Sequence, residues 1–169
     1  SLATTSSKPA KDPVAETTRR LGEWSLRTLL VALAVTPAVR LTGYTPLIAL
    51  RRMVGLIAFF YVVVHWSFWM TMDLGWSPTE LAKEVAKRRY VLAGMIGFLT
   101  LLPLAITSTR GWVKRLGARR WQALHRWVYV AGVAGCVHYA MLAKGNQPAP
   151  KLYLAILGLL LAIRYLPQQ

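Results

Sequence analysis

The stretch from Met53 to Met72, MVGLIAFFYVVVHWSFWMTM, decides the fold class because it contains no Asp, Glu, Lys or Arg. An uncharged apolar run of roughly 18 or more residues can cross the hydrocarbon core of a bilayer as a helix. A helix satisfies its own backbone groups where no water is present. The run does not alternate between polar and apolar residues, so it does not indicate a barrel strand. It therefore predicts a membrane-spanning helix.

Four further apolar segments accompany this run, and together they predict an all-α, polytopic transmembrane helix bundle. Residues 1–20 are polar, rich in Ser, Thr, Ala and Pro, and are predicted to form a flexible tail ahead of a domain over 21–167. The five spanning helices are predicted at about 24–41, 53–72, 90–107, 121–142 and 152–166.

A short amphipathic helix is predicted between the second and third spans. Ser77 can cap it, Pro78 suits the first helical position, and Glu80 completes a capping box. Leu81 and Val85 share one face and charged residues surround the rest. The segment 78–88 therefore fits a helix that lies at the membrane surface.

The basic composition is explained by the membrane. The chain has 21 Lys plus Arg against six Asp plus Glu, a net charge of +15. These cations cluster at the ends of apolar runs, where anionic headgroups and topology select them, and no nucleic-acid-binding motif lies among them. The two predicted sides carry nearly equal numbers of cations, but their density in the 108–120 loop favours that side as cytoplasmic.

All three histidines, His65, His125 and His138, lie in apolar segments. One such histidine is more often a satisfied packing residue, but three together favour metal or haem ligation. Zinc is less favoured because the spans offer no Cys or carboxylate at ligand spacing, and the lone Cys136 is expected to be a buried thiol. A Ser–His–acid catalytic set is not supported, because every acid lies outside the predicted spans. The residues expected to form an aromatic shell around a haem are Phe59, Phe60, Tyr61, Trp66, Phe68, Trp69, Trp127, Tyr129 and Tyr139.

A family resemblance covers about residues 12–166. In order and spacing the chain resembles the MsrQ (YedZ) family, the haem-binding membrane subunits of bacterial periplasmic methionine sulfoxide reductase systems. That family belongs to the ferric reductase and NADPH oxidase transmembrane superfamily. The matching features are Thr36-Pro37 with Arg40, Arg51-Arg52 with Gly55 and His65, Leu104-Ala105 before Thr107-Ser108-Thr109, Trp121 with Leu124-His125 and Tyr129, His138-Tyr139, and Arg164-Tyr165.

The resemblance implies which residues bind the cofactor. In the superfamily, two helices each carry two histidines that hold two stacked haems. Carried over, His65 pairs with His138 on a haem b near the periplasm, while His125 faces Arg51. Arginine is not an ordinary haem ligand, though it can pair with a propionate. The resemblance therefore implies one haem, or two if His125 holds the second alone. It also implies FMN, for which no residues can be assigned.

The resemblance further implies a function in electron transfer. Electrons would come from quinol or a cytosolic flavin reductase and pass to a periplasmic molybdoenzyme methionine sulfoxide reductase. The chain would be an electron-transfer subunit in the bacterial inner membrane rather than the catalytic subunit. The loops 41–52 and 108–120 would be cytoplasmic and the 73–89 segment periplasmic. The family usually has six helices, which implies one more before this chain.

Two alternatives to this function remain open from the sequence. The first is a stand-alone ferric or quinone-linked cytochrome b. The second is a non-redox transporter or structural membrane subunit whose histidines form a proton path or simple packing.

Overall fold

The computed structural model describes residues 12–143 and 147–165, and in these ranges it contains helices and no strand. This confirms the predicted all-α class. A single 3₁₀ turn, Thr45–Leu47, precedes the second α-helix. The α-helices are α1 (Pro13–Thr42), α2 (Ile48–Met72), α3 (Pro78–Lys87), α4 (Arg89–Ile106), α5 (Arg110–Leu116), α6 (Ala118–His125), α7 (Val128–Leu142) and α8 (Pro148–Tyr165).

Within the described residues, four helical segments are long and apolar enough to cross a membrane. They are α1, the segment Thr45–Met72 that contains α2, α4 and α8. Large apolar side chains such as Phe60, Leu99 and Leu159 are more than half exposed on the bundle. Exposed apolar surface of this extent is expected where lipid, not water, surrounds a protein.

The predicted fourth span, 121–142, is not one helix. α6 ends at His125 and α7, with 15 residues, begins at Val128. Between them, the amides of Trp127 and Tyr129 bond the carbonyls three residues earlier, each at 3.1 Å, which tightens the backbone into a turn. α6 also carries Arg119 and Arg120, which are costly inside a bilayer. His125 and His138 therefore belong to different helices.

The prediction of a tail up to residue 20 is wrong for residues 13–20, which form the first turns of α1. Asp12 caps the helix, because its Oδ1 accepts from the Val14 amide at 3.0 Å. The polar residues that resemble a tail stabilise the helix through ion pairs: Glu16 lies 3.0 Å from Arg19 and 2.8 Å from Arg20. The first 11 residues of the predicted tail lie outside the described residues.

The helix between the second and third spans begins as its sequence indicates. The Ser77 Oγ accepts from the Glu80 amide at 3.3 Å, and Pro78 takes the first position of α3. Two ion pairs lie along the surface of α3, with Lys83 2.7 Å from Glu80 and Arg88, the residue after the helix, 2.9 Å from Glu84. α5, inside the predicted 108–120 loop, was not anticipated.

Four of the helices pack as two pairs. α1 packs along α2 and α4 along α7, while contacts between the two pairs are far fewer. One buried cluster joins α1, α7 and α8 through Leu26, Leu30, Leu33, Cys136 and Leu157. A second joins the two pairs through Leu29, Ala58, Leu101, Leu104 and Ala131.

A buried carboxylate links the two pairs at one end of the bundle. The Glu23 carboxylate on α1 accepts from the Tyr139 hydroxyl on α7 at 2.7 Å and from Arg19 at 2.8 Å. Glu23 lies inside α1, which starts earlier than the predicted first span. A carboxylate in this position is tolerated because its oxygens are paired with donors.

We expect Tyr139→Phe to destabilise the protein by about 1–2 kcal/mol, because it removes a hydrogen bond to a charged, largely buried group. The loss of stability is measured by thermal unfolding in detergent, monitored by the loss of helical circular dichroism. Tyr44→Phe is the matched control, since Tyr44 is exposed and its hydroxyl makes no hydrogen bond within the described residues. Equal unfolding midpoints for the two variants would contradict the prediction.

Candidate functional site

His65 lies late in α2 and faces α1. Its Nδ1 is 2.9 Å from the carbonyl oxygen of Thr18. A carbonyl oxygen can only accept, so Nδ1 carries the proton and donates. In a neutral imidazole the other nitrogen, Nε2, then keeps its lone pair. This Nε2 has no hydrogen-bond partner among the described residues, so it is free to bind a metal.

His138 has the same arrangement on the other helix pair. It lies late in α7, and its Nδ1 donates to the carbonyl oxygen of Tyr90 on α4 at 2.6 Å. Its Nε2 also lacks a partner in the part of the chain that the structure describes. Each helix pair therefore presents one imidazole whose orientation is set by the other member of the pair.

The two imidazoles lie opposite each other with a spacing that suits one metal atom. The ring centroids of His65 and His138 are 6.3 Å apart and the ring planes are inclined by 76°. Metal–imidazole bonds of about 2.0 Å, with about 1.1 Å from nitrogen to ring centroid, place two such rings about 6.2 Å apart on opposite sides of one metal. Their planes can take any mutual angle about that axis. The ring spacing is therefore compatible with both imidazoles binding one metal atom.

The metal that fits this pair must bring its own remaining ligands. Within residues 12–143 and 147–165, no group of three or more His, Cys, Asp or Glu side chains is positioned to hold a metal ion. Zinc needs three or four protein ligands. Haem iron needs only axial ligands from the protein, because the porphyrin supplies the equatorial nitrogens. The residues present therefore fit haem.

Aromatic rings line the α2–α4 side of the bundle near this pair. Trp66, next to His65, stacks on Phe98 of α4 with centroids 5.1 Å apart and planes at 7°. Phe59 lies 6.4 Å from the same Phe98 ring. Of the predicted aromatic shell, Phe60 and Trp127 are more than half exposed and face outwards, so their assignment to the shell is wrong. Helical spacing alone did not distinguish rings that face lipid from rings that face the bundle.

His125 lies at the opposite end of the bundle and differs from the other two histidines. Its Nδ1 is 3.0 Å from the Trp121 carbonyl and its Nε2 3.2 Å from the Leu104 carbonyl. Trp121 stacks on its ring at 3.8 Å and donates its indole N–H to the Thr107 carbonyl at 2.8 Å. Both nitrogens of His125 thus lie within hydrogen-bonding distance of a carbonyl oxygen, and a neutral ring donates to one of the two.

A basic cavity of about 420 Å³ opens beside His125. Its lining contains four arginines and no acid; they are Arg51, Arg52, Arg126 and Arg164. Arg51 and His125 both line this cavity, and no hydrogen bond joins them. The Arg51 guanidinium instead donates to the Thr36 hydroxyl at 3.4 Å. Guanidinium groups without carboxylate partners favour anionic groups, and the volume suits a small molecule.

The chain is similar to a family of transmembrane proteins and to several named bacterial proteins. Residues 21–136 match the family of the ferric reductase like transmembrane component. A protein-methionine-sulfoxide reductase heme-binding subunit MsrQ from Rhodospirillum rubrum is 47% identical over 156 residues, which is 92% of this chain and 75% of the relative. Proteins of the same name from Xanthomonas axonopodis pv. citri and Ralstonia nicotianae are 46% and 44% identical, over 90% of this chain and 70% and 71% of theirs.

The chain belongs to the MsrQ family. The match to the ferric reductase like family includes Arg51, His65 and His125, and it ends two residues before His138. His138 therefore joins the candidate site through its position opposite His65.

The backbone groups that orient the histidines of this MsrQ family member were not predicted. The acceptors are the carbonyls of Thr18 and Tyr90, and every residue has a carbonyl, so no sequence signal singles them out. Arg52, Arg126 and Arg164 were also not predicted to line a site with Arg51. Arg52 follows Arg51 directly, but Arg126 in the α6–α7 turn and Arg164 on α8 are far from both along the chain, and only the packing of these segments brings them together.

We expect Trp121→Phe to lower the free energy of unfolding by about 1 kcal/mol, because phenylalanine can keep the stacking on His125 but cannot donate to Thr107. The measurement is the thermal midpoint in detergent. Trp127→Phe serves as control, because Trp127 is mostly exposed. The prediction fails if the control is as destabilised as Trp121→Phe.

Proposed function

We propose that this chain is a membrane electron-transfer subunit that binds b-type haem between His65 and His138 and supplies electrons to a methionine sulfoxide reductase. The observation that supports it most directly is the pair of imidazoles 6.3 Å apart with both Nδ1 atoms donating to carbonyls. Relatives 44–47% identical are named heme-binding subunits of protein-methionine-sulfoxide reductase. When bound, haem iron supplies reversible one-electron chemistry.

The protein's part in this function is to hold and insulate the cofactor. His65 and His138 would hold the haem iron, and their Nδ1–H donors fix the tautomer and the ring orientation. The surrounding apolar helices exclude water, which is one of the factors that set a haem potential. No residue is assigned a catalytic role, because sulfoxide reduction would take place on the partner.

The haem end of the bundle is proposed to face the periplasm. His65 is seven residues before the end of α2 at Met72, about 10 Å along the axis. His138 is four residues before the end of α7, about 6 Å. A short distance to the surface suits transfer to a soluble molybdoenzyme. α3 connects α2 to α4 at this end, and its charges would steer the encounter more than they add affinity.

The basic cavity at the other end is proposed to hold a second cofactor on the donor side. The four guanidinium groups suit the phosphate of FMN or the propionates of a second haem. For His125 to ligate that second haem, its Nε2 must lose its contact with the Leu104 carbonyl oxygen. Electrons would arrive at this end from quinol or a cytosolic flavin reductase. These assignments make the protein a multi-pass component of the bacterial inner membrane.

We expect His138→Gly to lose most of the low-spin haem spectrum, because one axial ligand is removed. Millimolar imidazole added to this variant should restore the spectrum, since free imidazole can occupy the space left by the side chain. The measurement is the absorption spectrum before and after dithionite, with haem content from the pyridine haemochrome.

His125→Gly is the matched control for this experiment, and it should retain the dithionite-sensitive spectrum of the haem held by His65. If His138→Gly kept a wild-type spectrum without imidazole, ligation by His138 would be excluded. A purified wild-type protein with no b-type spectrum in either redox state would overturn the proposed function as a whole.

We expect Arg51→Gln to lower the content of the donor-side cofactor at least severalfold while leaving the haem at His65 and His138 in place. Released flavin is measured by fluorescence and haem by the pyridine haemochrome, which also distinguishes FMN from a second haem. Arg110→Gln on α5 is the control, because Arg110 is exposed and does not line the cavity. Unchanged flavin and haem contents in Arg51→Gln would refute the assignment of this cavity.

A further inference from the structure

Gly22 on α1 lies directly against the ring of His65. A Cβ atom built at Gly22 would lie 3.1 Å from Cε1 and 3.4 Å from Nδ1 of that imidazole. Gly22 is four residues after Thr18, whose carbonyl accepts from the same Nδ1. In an α-helix, residue i+4 lies one turn above the carbonyl of residue i on the same face. The ring therefore reaches the carbonyl by lying across backbone that carries no side chain.

Gly94 on α4 repeats this arrangement for His138. A Cβ atom there would lie 2.9 Å from Nδ1 and 3.1 Å from Cε1 of the imidazole. Gly94 is four residues after Tyr90, whose carbonyl accepts from His138. The same carbonyl–glycine spacing thus occurs on the two different helix pairs, once for each candidate axial ligand.

Neither glycine is required by its own backbone. Among the described residues, the glycines with positive φ are Gly43, Gly75 and Gly117, whereas Gly22 and Gly94 lie inside helices, where glycine is less favourable than alanine.

Helix–helix packing does not account for the two glycines either. For both of them, the nearest atoms to the added Cβ all belong to a histidine ring. Gly97, one turn further along α4, differs, since its neighbours are Ala131, Ala134 and Gly135 of α7 at 3.7 Å or more.

We propose that Gly22 and Gly94 are positioning residues for the haem ligands. By leaving no side chain above the carbonyls of Thr18 and Tyr90, they let each imidazole donate Nδ1–H and hold Nε2 toward the gap between the helix pairs. This inference rests on the proposed ligation by His65 and His138. Because the carbonyl makes the imidazole more basic, loss of the hydrogen bond should also raise the haem potential.

The test compares Gly94→Ala with Gly97→Ala in the full-length protein. Gly94→Ala should bind haem about 10-fold or more weakly, shift part of the spectrum toward high spin and raise the midpoint potential, as expected when an outer hydrogen-bond partner is lost. Gly22→Ala should do the same to a smaller extent, because its Cβ would be slightly farther from the ring. Gly97→Ala should match the wild type, since its Cβ meets only ordinary contacts.

A second measurement does not require haem. Nitrogen-15 NMR of the histidine rings in apo-protein should show the Nδ1–H tautomer at His138 in the wild type and in Gly97→Ala, and its loss in Gly94→Ala. Circular dichroism of each variant controls for folding. A Gly94→Ala protein with wild-type haem affinity, spectrum and tautomer would overturn the inference. A wild type that binds no haem but shows this tautomer pattern would remove the proposed ligation and leave the positioning role standing.

Discussion

The arrangement of the candidate site depends on one kind of hydrogen bond, from a histidine Nδ1 to a carbonyl of the neighbouring helix. A neutral imidazole has one donor and one acceptor nitrogen, and inside a bilayer no water competes for the donor. The carbonyls of Thr18 and Tyr90 therefore determine which nitrogen faces the gap. Because each bond joins the two members of one helix pair, the packing of α1 on α2 and of α4 on α7 also determines the direction of the candidate ligands.

The two ends of the bundle differ in their chemistry. At one end, the ring centroids of His65 and His138 are 6.3 Å apart, and neither Nε2 has a hydrogen-bond partner among the described residues. At the other, both nitrogens of His125 lie within hydrogen-bonding distance of a carbonyl oxygen, beside a cavity lined by arginines. Metal ligation suits the first end, and pairing with phosphate or carboxylate groups suits the second. This difference between the two ends suits the proposed uptake of electrons at one membrane face and their release at the other.

Strong local patterns could be predicted from the sequence, and features set by tertiary contacts could not. The uncharged run at Met53–Met72 made a spanning helix predictable. The family resemblance paired His65 with His138, and in the structure their ring centroids are 6.3 Å apart. The early start of α1 was missed because residues 13–20 look like a tail until their ion pairs are seen. The break after His125 was missed because apolar residues continue on both sides of Arg126. The role of Gly22 could not be predicted, because its contact with the His65 ring exists only once α2 packs against α1.

The sparse contact between the two helix pairs has a consequence for how the protein is made. α1 and α2 are consecutive spans, so their hairpin can form as soon as Met72 has entered the bilayer, and its histidine is then already oriented. α4 and α7 form their own unit later in synthesis. A flat macrocycle can enter between two finished halves more easily than it can enter a closed barrel of helices. Cofactor capture would then follow the folding of each pair and would precede or accompany their joining through the buried cluster that includes Ala58 and Leu101.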